Sequence, residues 1–409
     1  MAGDRADIRE YLVVHKTLRT VLDRFVQATD RLDAPRLAAV VGERWALFSR
    51  GLHHHHEEEE RPLQSWRAAK PLPEPHHRRV SIAVILPAMN DIDTSRLQLK
   101  SIAYEGLAPG ARLVILGAVH GNETCGTRAI ERVMREIDAG EIAIGAGLVT
   151  FVPRANPLAF ARGERMGERN LNRNLFPRDN PVDFEDRIAN RLCPLLARHE
   201  VLLDLHSTRA RTEPFALVGP RDNTGKLEPF KHSQAERALA RRLGVRRFVE
   251  GWLDTYARGV ERRVREGRAT AANSDARYGV GTTEYMRSVG GYAITLECGQ
   301  HEDPAAVDVA YRAIRNTLAF LGLTRDAPPP AVEGYEALRI REVVDRVHAD
   351  DRFAREWASF DSLAPGDEIA RRRDGEVIKA AAGGRILFPD PGSKPGHEWF
   401  YIAENVPGI

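Results

Sequence analysis

Three short apolar runs stand out in a charge-rich chain, and each ends on polar residues that can bind or use a metal. Leu113–Val119 runs into His120-Gly121-Asn122-Glu123. Val201–Leu205, with Asp204 inside it, runs into His206-Ser207-Thr208. Tyr292–Leu296 runs into Glu297-Cys298-Gly299-Gln300-His301. Continuous apolar runs of this length suit strands buried on both faces of a parallel or mixed α/β sheet. Further strands are expected at 79–86, 148–153 and 214–218, with helices at 124–138, 183–198, 233–243 and 303–321. In such sheets ligands bind beyond the carboxyl ends of the strands, which is where the three polar tails fall.

The pattern changes toward both ends. Residues 6–60 read as two amphipathic helices. The first has its stripe at Ile8, Leu12, His15, Leu18, Leu22 and Phe25, in three- and four-residue steps. The second carries Leu37, Val41, Trp45, Phe48 and Leu52, then His53 to His56 and Glu57 to Glu60, before Pro62 stops it. Pro, Lys, Arg and His dominate 66–78, the composition of a linker. Asp326-Ala327-Pro328-Pro329-Pro330 marks a second boundary, and glycines punctuate short apolar runs after it. The expected plan is a helical hairpin at 1–65, a linker at 66–78, an α/β domain at 79–325 and a small β domain at 326–409.

Composition narrows the function classes. A length of 409 residues, 43% hydrophobic and 29% charged, is ordinary for a globular protein with one large core. A net charge of +2 gives no electrostatic push toward nucleic acid or membrane, so neither is expected as a partner. Cys125, Cys193 and Cys298 are sparse and unpaired in spacing, which argues for a reducing compartment. The N-terminus is charged and lacks a leader pattern, and no apolar run is long enough to span a bilayer, so the cytoplasm is expected. No Gly-rich phosphate loop supports nucleotide binding.

His120 and Glu123 are three apart where a strand gives way to a helix, so both side chains can point to one spot. His206 would join them from a neighbouring strand end. Asp204, two residues earlier, faces the same side and can hold the second imidazole nitrogen. Two His and one Glu suffice for a catalytic zinc with an open fourth position. A second carboxylate, Glu297, can then act as base on the attacking water.

The stretches GAVHGNE (117–123), Asn156-Pro157, Asn170 to Phe176, DLHST (204–208) and ECGQ (297–300) come in one order across 110–302. In this the chain resembles the succinylglutamate desuccinylase/aspartoacylase family of the zinc carboxypeptidase superfamily. The resemblance implies a zinc-carboxypeptidase-like mixed sheet with helices on both faces. It implies one Zn2+ per catalytic domain on His120, Glu123 and His206, with Glu297 as the catalytic carboxylate. It also implies that Arg165 polarises the scissile carbonyl, that Asn172 and Arg173 grip the substrate's α-carboxylate, and that Arg287 binds a second carboxylate. The expected activity is a zinc-dependent amidohydrolase acting on a small-molecule N-acyl amino acid. A metallocarboxypeptidase on short peptides is the nearest rival. A third reading is an iron-binding or sensing protein. Its basis is HxxxE pairs such as His54 with Glu58, which resemble half of a hemerythrin-like bundle. The acyl group, the amino acid and the oligomeric state, homo-oligomers included, are left open.

Overall fold

The structure is a computed structural model that describes residues 92–269 and 274–409. The chain divides into a unit of Met1–Ile85 and a unit of Leu86–Ile409, and the described residues belong to the second. The expected helical hairpin, the linker and the strand at 79–86 lie outside the described residues.

The first half of the described chain runs β1 (Ile102–Glu105), β2 (Ala108–Leu116), α1 (Cys125–Asp138), β3 (Ala146–Val152), α2 (Pro157–Arg162), α3 (Phe184–Leu196) and β4 (Val201–Thr208). It continues through β5 (Phe215–Leu217), α4 (Ser233–Ala240), β6 (Arg247–Glu250), α5 (Trp252–Arg265), α6 (Thr282–Ser288), β7 (Tyr292–Gln300) and α7 (Ala305–Phe320). The remainder is β8 (Glu336–Asp345), β9 (Arg352–Phe353), β10 (Ser362–Leu363), β11 (Glu368–Arg371), β12 (Val377–Lys379), β13 (Gly384–Leu387) and β14 (Glu398–Asn405).

Eleven strands form one mixed sheet in the order β1-β3-β2-β4-β7-β5-β6-β8-β14-β13-β10. Its centre, β3-β2-β4-β7, is parallel. β5 runs antiparallel to β7 and parallel to β6. Because side chains alternate along a strand, the central runs feed two cores. Leu113, Ile115, Leu203 and Leu205 meet Ile130 and Val133 of α1 and Ile314 and Leu318 of α7. Val114, Leu116 and Leu202 meet Leu158, Ile188, Leu192 and Met286 on the other face. This two-sided burial is why the runs show no polar alternation. Each such side chain contributes about 1.5–3 kcal/mol when taken from water, and Asp204, a buried charged residue within these runs, is held by Thr282 and lies beside His206. The mixed α/β architecture with helices on both faces is the one the sequence pattern and the resemblance point to.

The segment after 326 is β-rich as expected, yet its strands do not form a sheet of their own. β8 pairs in parallel with β6, and β14, β13 and β10 extend the same large sheet. The physical reason is the edge of β6. Phe248 and Val249 are fully buried, and without β8 their backbone groups would be an open edge. Only β9, β11 and β12 form a separate three-stranded sheet. Among the described residues no helix is long and apolar enough to cross a membrane.

Candidate metal and hydrolytic site

The three polar tails meet at one end of the sheet. β4 and β7 lie side by side with His206 directly opposite Glu297. β2 lies on the other flank of β4, and the turn after it carries His120 and Glu123 into the start of α1. That turn is tightly constrained. Ala118 has φ 48°, in the left-handed region. A Cβ on Gly121 would lie 1.9 Å from the backbone carbon of Ala159 in α2. Glycine at 121 is therefore demanded by the close approach of the loop to α2.

His120, Glu123 and His206 are all buried, and each offers a ligand atom within 4.8 Å of the others. The His120 Nε2–H donates to Asn170 Oδ1 at 3.0 Å, which fixes the tautomer and leaves a lone pair on Nδ1. That Nδ1 lies 2.9 Å from Glu123 Oε1 yet makes no hydrogen bond. Across the group, His206 Nδ1 lies 2.9 Å from Glu123 Oε2, and its Nε2 lies 2.9 Å from Asp204 Oδ2. The Ser207 backbone N–H also donates to Glu123 Oε2 at 3.1 Å. Electron pairs facing one another at this distance repel unless a cation lies between them. Two imidazoles and a carboxylate form a donor set that suits a borderline cation such as zinc. The group can hold a metal ion.

The electrostatics agree with that use. Burial, helped by the nearby Arg165 charge, pushes His120 down to about 4, so it stays neutral and able to ligate. Burial alone would raise Glu123, but His120 and His206 overcome it and hold the carboxyl well below its ordinary range. Burial would lower His206. Asp204 first and Glu123 second overcome that and raise it well above its ordinary value. Glu297 is different. Burial, then the negative charge of Glu123, push it up to about 8. Its Oε2 is buried with no hydrogen-bond partner. A carboxylate so placed, opposite His206, can accept and return a proton near neutral pH.

The predicted arginines fall in three different settings. Arg165 is half-exposed at the mouth and donates to Glu123 Oε1 at 2.8 Å. Arg173 is buried, and among the described residues it forms no ion pair. Its guanidinium lies 5.0 Å from the Trp252 ring centroid and donates to the Asn172 backbone carbonyl. Asn172 Oδ1 accepts from the Thr282 backbone N–H at 2.9 Å. The structure does not bring Arg287 to this group. Its guanidinium pairs with Glu236 and Glu228, each at 2.8 Å, and donates to the Ala293 carbonyl near the start of β7. The site lies at the far end of that strand, about 13 Å away for four residues of rise. All three of its side-chain nitrogens donate to protein oxygens, and the side chain is buried.

Residues 109–244 match the family described as Succinylglutamate desuccinylase/Aspartoacylase catalytic domain. The succinylglutamate desuccinylase of Pseudomonas paraeruginosa is 26% identical over 308 residues, covering 70% of this chain and 82% of its own length. That of Chromobacterium violaceum is 27% identical over 315 residues, covering 72% and 85%. The match places residues 109–244 in the succinylglutamate desuccinylase/aspartoacylase family, and the relatives carry the likeness over about 70% of the chain. Solved structures share the fold. The product-bound ectoine utilization protein EutE (DoeB) from Ruegeria pomeroyi aligns with a TM-score of 0.56 at 21% identity, over 74% of this chain and 88% of that one. The succinylglutamate desuccinylase/aspartoacylase from Rhodobacter sphaeroides aligns with a TM-score of 0.56 at 17% identity, over 76% and 90%.

Several supporting residues carry no signal of their own in the sequence. Thr282 Oγ1 donates to Asp204 Oδ2, so the loop carrying Asn172 is linked through Thr282 and Asp204 to His206. Asn170 holds both His120 and the Asn172 backbone N–H. The NLNR run was visible at 170–173, but nothing local told Asn170 from Asn172. His301, which the sequence offered either for the site rim or for a plain surface role, lies with its Nδ1 2.9 Å from Ser207 Oγ, next to His206 in the chain. Trp252 and Tyr256, the aromatic neighbours of Arg173, belong to α5, an Arg-rich helix that the apolar pattern did not reveal.

Proposed function

We propose that the protein is a zinc-dependent amidohydrolase that removes an acyl group from an N-acyl amino acid. The observation that carries this reading is the partnerless Glu297 carboxylate opposite His206, beside a buried two-His, one-Glu group. Zinc, held by His120, Glu123 and His206, would supply Lewis acidity to the scissile carbonyl and to a water. Asn170 and Asp204 orient the two imidazoles. Glu297 takes the proton from the attacking water and returns it to the leaving nitrogen. Arg165, at the mouth, turns from Glu123 to the substrate carbonyl oxygen as negative charge develops there. Arg173, desolvated and with no ion pair among the described residues, receives the substrate α-carboxylate as a bidentate fork, with the Asn172 amide beside it. Because the relatives are named succinylglutamate desuccinylases, N-succinyl amino acids are the first substrates to try.

The test is amine release from a panel of N-acetyl and N-succinyl amino acids, with metal content measured on the same sample. Short peptides in the panel separate deacylation from carboxypeptidase action. Release from at least one N-acyl amino acid is expected. Fully zinc-loaded protein that releases nothing from any panel member would refute the reading.

A further inference from the structure

A second cavity, of about 710 Å³, lies between the turn after β4 and the C-terminal strands. It adjoins the metal group without being part of it. Arg209 directly follows the last residue of β4, three positions after His206, and its carbonyl accepts from Gln300 Nε2 at 3.4 Å. Five arginines line the cavity, namely Arg209, Arg211, Arg346, Arg352 and Arg355, against three acidic residues.

How these charges are used decides what the cavity can hold. Asp361 pairs with Arg355, whose guanidinium stacks 3.5 Å above the Trp357 ring. Asp351 is taken by Arg372 from outside the lining. Arg209 reaches Asp390 at 3.5 Å. Arg346 donates only to backbone carbonyls, those of Pro391, Ser393, Ala349, Asp351 and His348, and lies 5.8 Å from the Trp399 ring centroid, so its charge has no carboxylate partner among the described residues. Arg211 and Arg352 are exposed and have no ion pair or side-chain hydrogen bond among the described residues. With Glu356 also unpaired, the lining keeps an excess of two positive charges. The wall holds one more unsatisfied donor. Trp399 is 1% exposed, and its indole Nε1 has no partner. Guanidinium forks and a buried N–H donor are the groups that recognise an oxyanion.

We propose that this cleft binds a small molecule carrying a dianionic oxyanion group, a phosphate or a pair of carboxylates, held by Arg211 and Arg352. The limited volume of this open cleft suits a small molecule and not a nucleic-acid backbone, which needs an extended basic stripe. The site is independent of the deacylase reading and stands whether or not that reading holds.

Calorimetric titration of the full chain with inorganic phosphate and, separately, with glutarate tests it. Saturable binding of one equivalent is expected for at least one of the two, and the anion that binds tells phosphate from dicarboxylate. The double variant Arg211→Gln/Arg352→Gln should weaken that binding by about tenfold or more, with an unchanged melting temperature because both side chains are exposed. Arg173→Gln should leave it unchanged. Absence of saturable binding of both anions at about 10 mM, an affinity too weak for a built site, would overturn the proposal. So would binding that survives the double variant or disappears with Arg173→Gln, since the anion would then be held elsewhere.

Discussion

Glu297 and His206 face each other across two parallel strands, and this pairing sets what single substitutions do. Glu297→Gln keeps the shape and the burial but removes the proton acceptor. Hydrolysis should fall by about 10²–10⁴-fold with zinc content intact, read by steady-state rates and metal analysis together. A near-normal rate would exclude Glu297 as the base. Arg173 forms no ion pair among the described residues, although, against burial, the Glu398 charge raises its pKa, and on the proposed reading its partner comes with the substrate. Replacing the fork by an ammonium in Arg173→Lys should cost about 1–3 kcal/mol of transition-state binding, or roughly 10–100-fold in kcat/KM. The same loss should appear when a methyl ester replaces the free acid on the unaltered protein. Equal kcat/KM for acid and ester would remove carboxylate reading from Arg173. The meeting of Glu297 with His206 was legible because both end apolar runs that read as strands. Arg287 was misleading because an arginine in a sequence looks the same whether it meets the protein's own carboxylates or a ligand's.

Loops set the geometry that those side chains use. The turn from β2 to α1 is pressed against α2, where a Cβ on Gly121 would also lie 2.0 Å from the Ala159 carbonyl oxygen. Backbone cannot swing aside as a long side chain can. Gly121→Ala should therefore displace His120 or Glu123 and cost about 1–3 kcal/mol, seen as a lower denaturant midpoint and reduced zinc occupancy. Unchanged occupancy would mean the turn is softer than its packing implies. A second turn, after β8, is held by Asp351. Its carboxylate accepts from the backbone N–H groups of Val347, His348 and Arg373 and from Arg372 Nη1. Burial would raise its pKa, but these donors overcome it and bring it to about 2. The folded value lies below the unfolded one, so the stabilisation is complete above about pH 4 and is lost as pH falls toward 2. Asp351→Asn should lower stability at neutral pH by about 1–3 kcal/mol and flatten the loss between about pH 4 and 2. Urea midpoints across that range check both, and parallel pH profiles for the two proteins would count against the assignment. This turn was not legible in advance, because two of its four donors, from Arg372 and Arg373, come from residues more than twenty positions away.

The described chain is built on one eleven-stranded sheet, with a separate three-stranded one, and the C-terminal strands of the large sheet cover a core they share with its middle. Phe215 and Val249 pack with Leu338, Ile340, Phe360, Leu387 and Tyr401. Ending the chain at 325 would strip that core and bare the edge of β6. Such a protein should fail to give a cooperative unfolding transition, and a sharp transition with retained zinc would show that 326–409 is a separate domain after all. The sequence alone determined the central strands, the helices α1, α3, α4 and α7, and the polar tails that meet at the site. Burial on both faces of a strand, and on one stripe of a helix, leaves a local pattern that needs no knowledge of neighbours. The tertiary structure alone decided strand order, the capture of β8 by β6, the buried guanidinium of Arg173, the commitment of Arg287 and the basic cleft beside the site. Each of these depends on which distant residues meet, and one-dimensional periodicity carries no record of the partner.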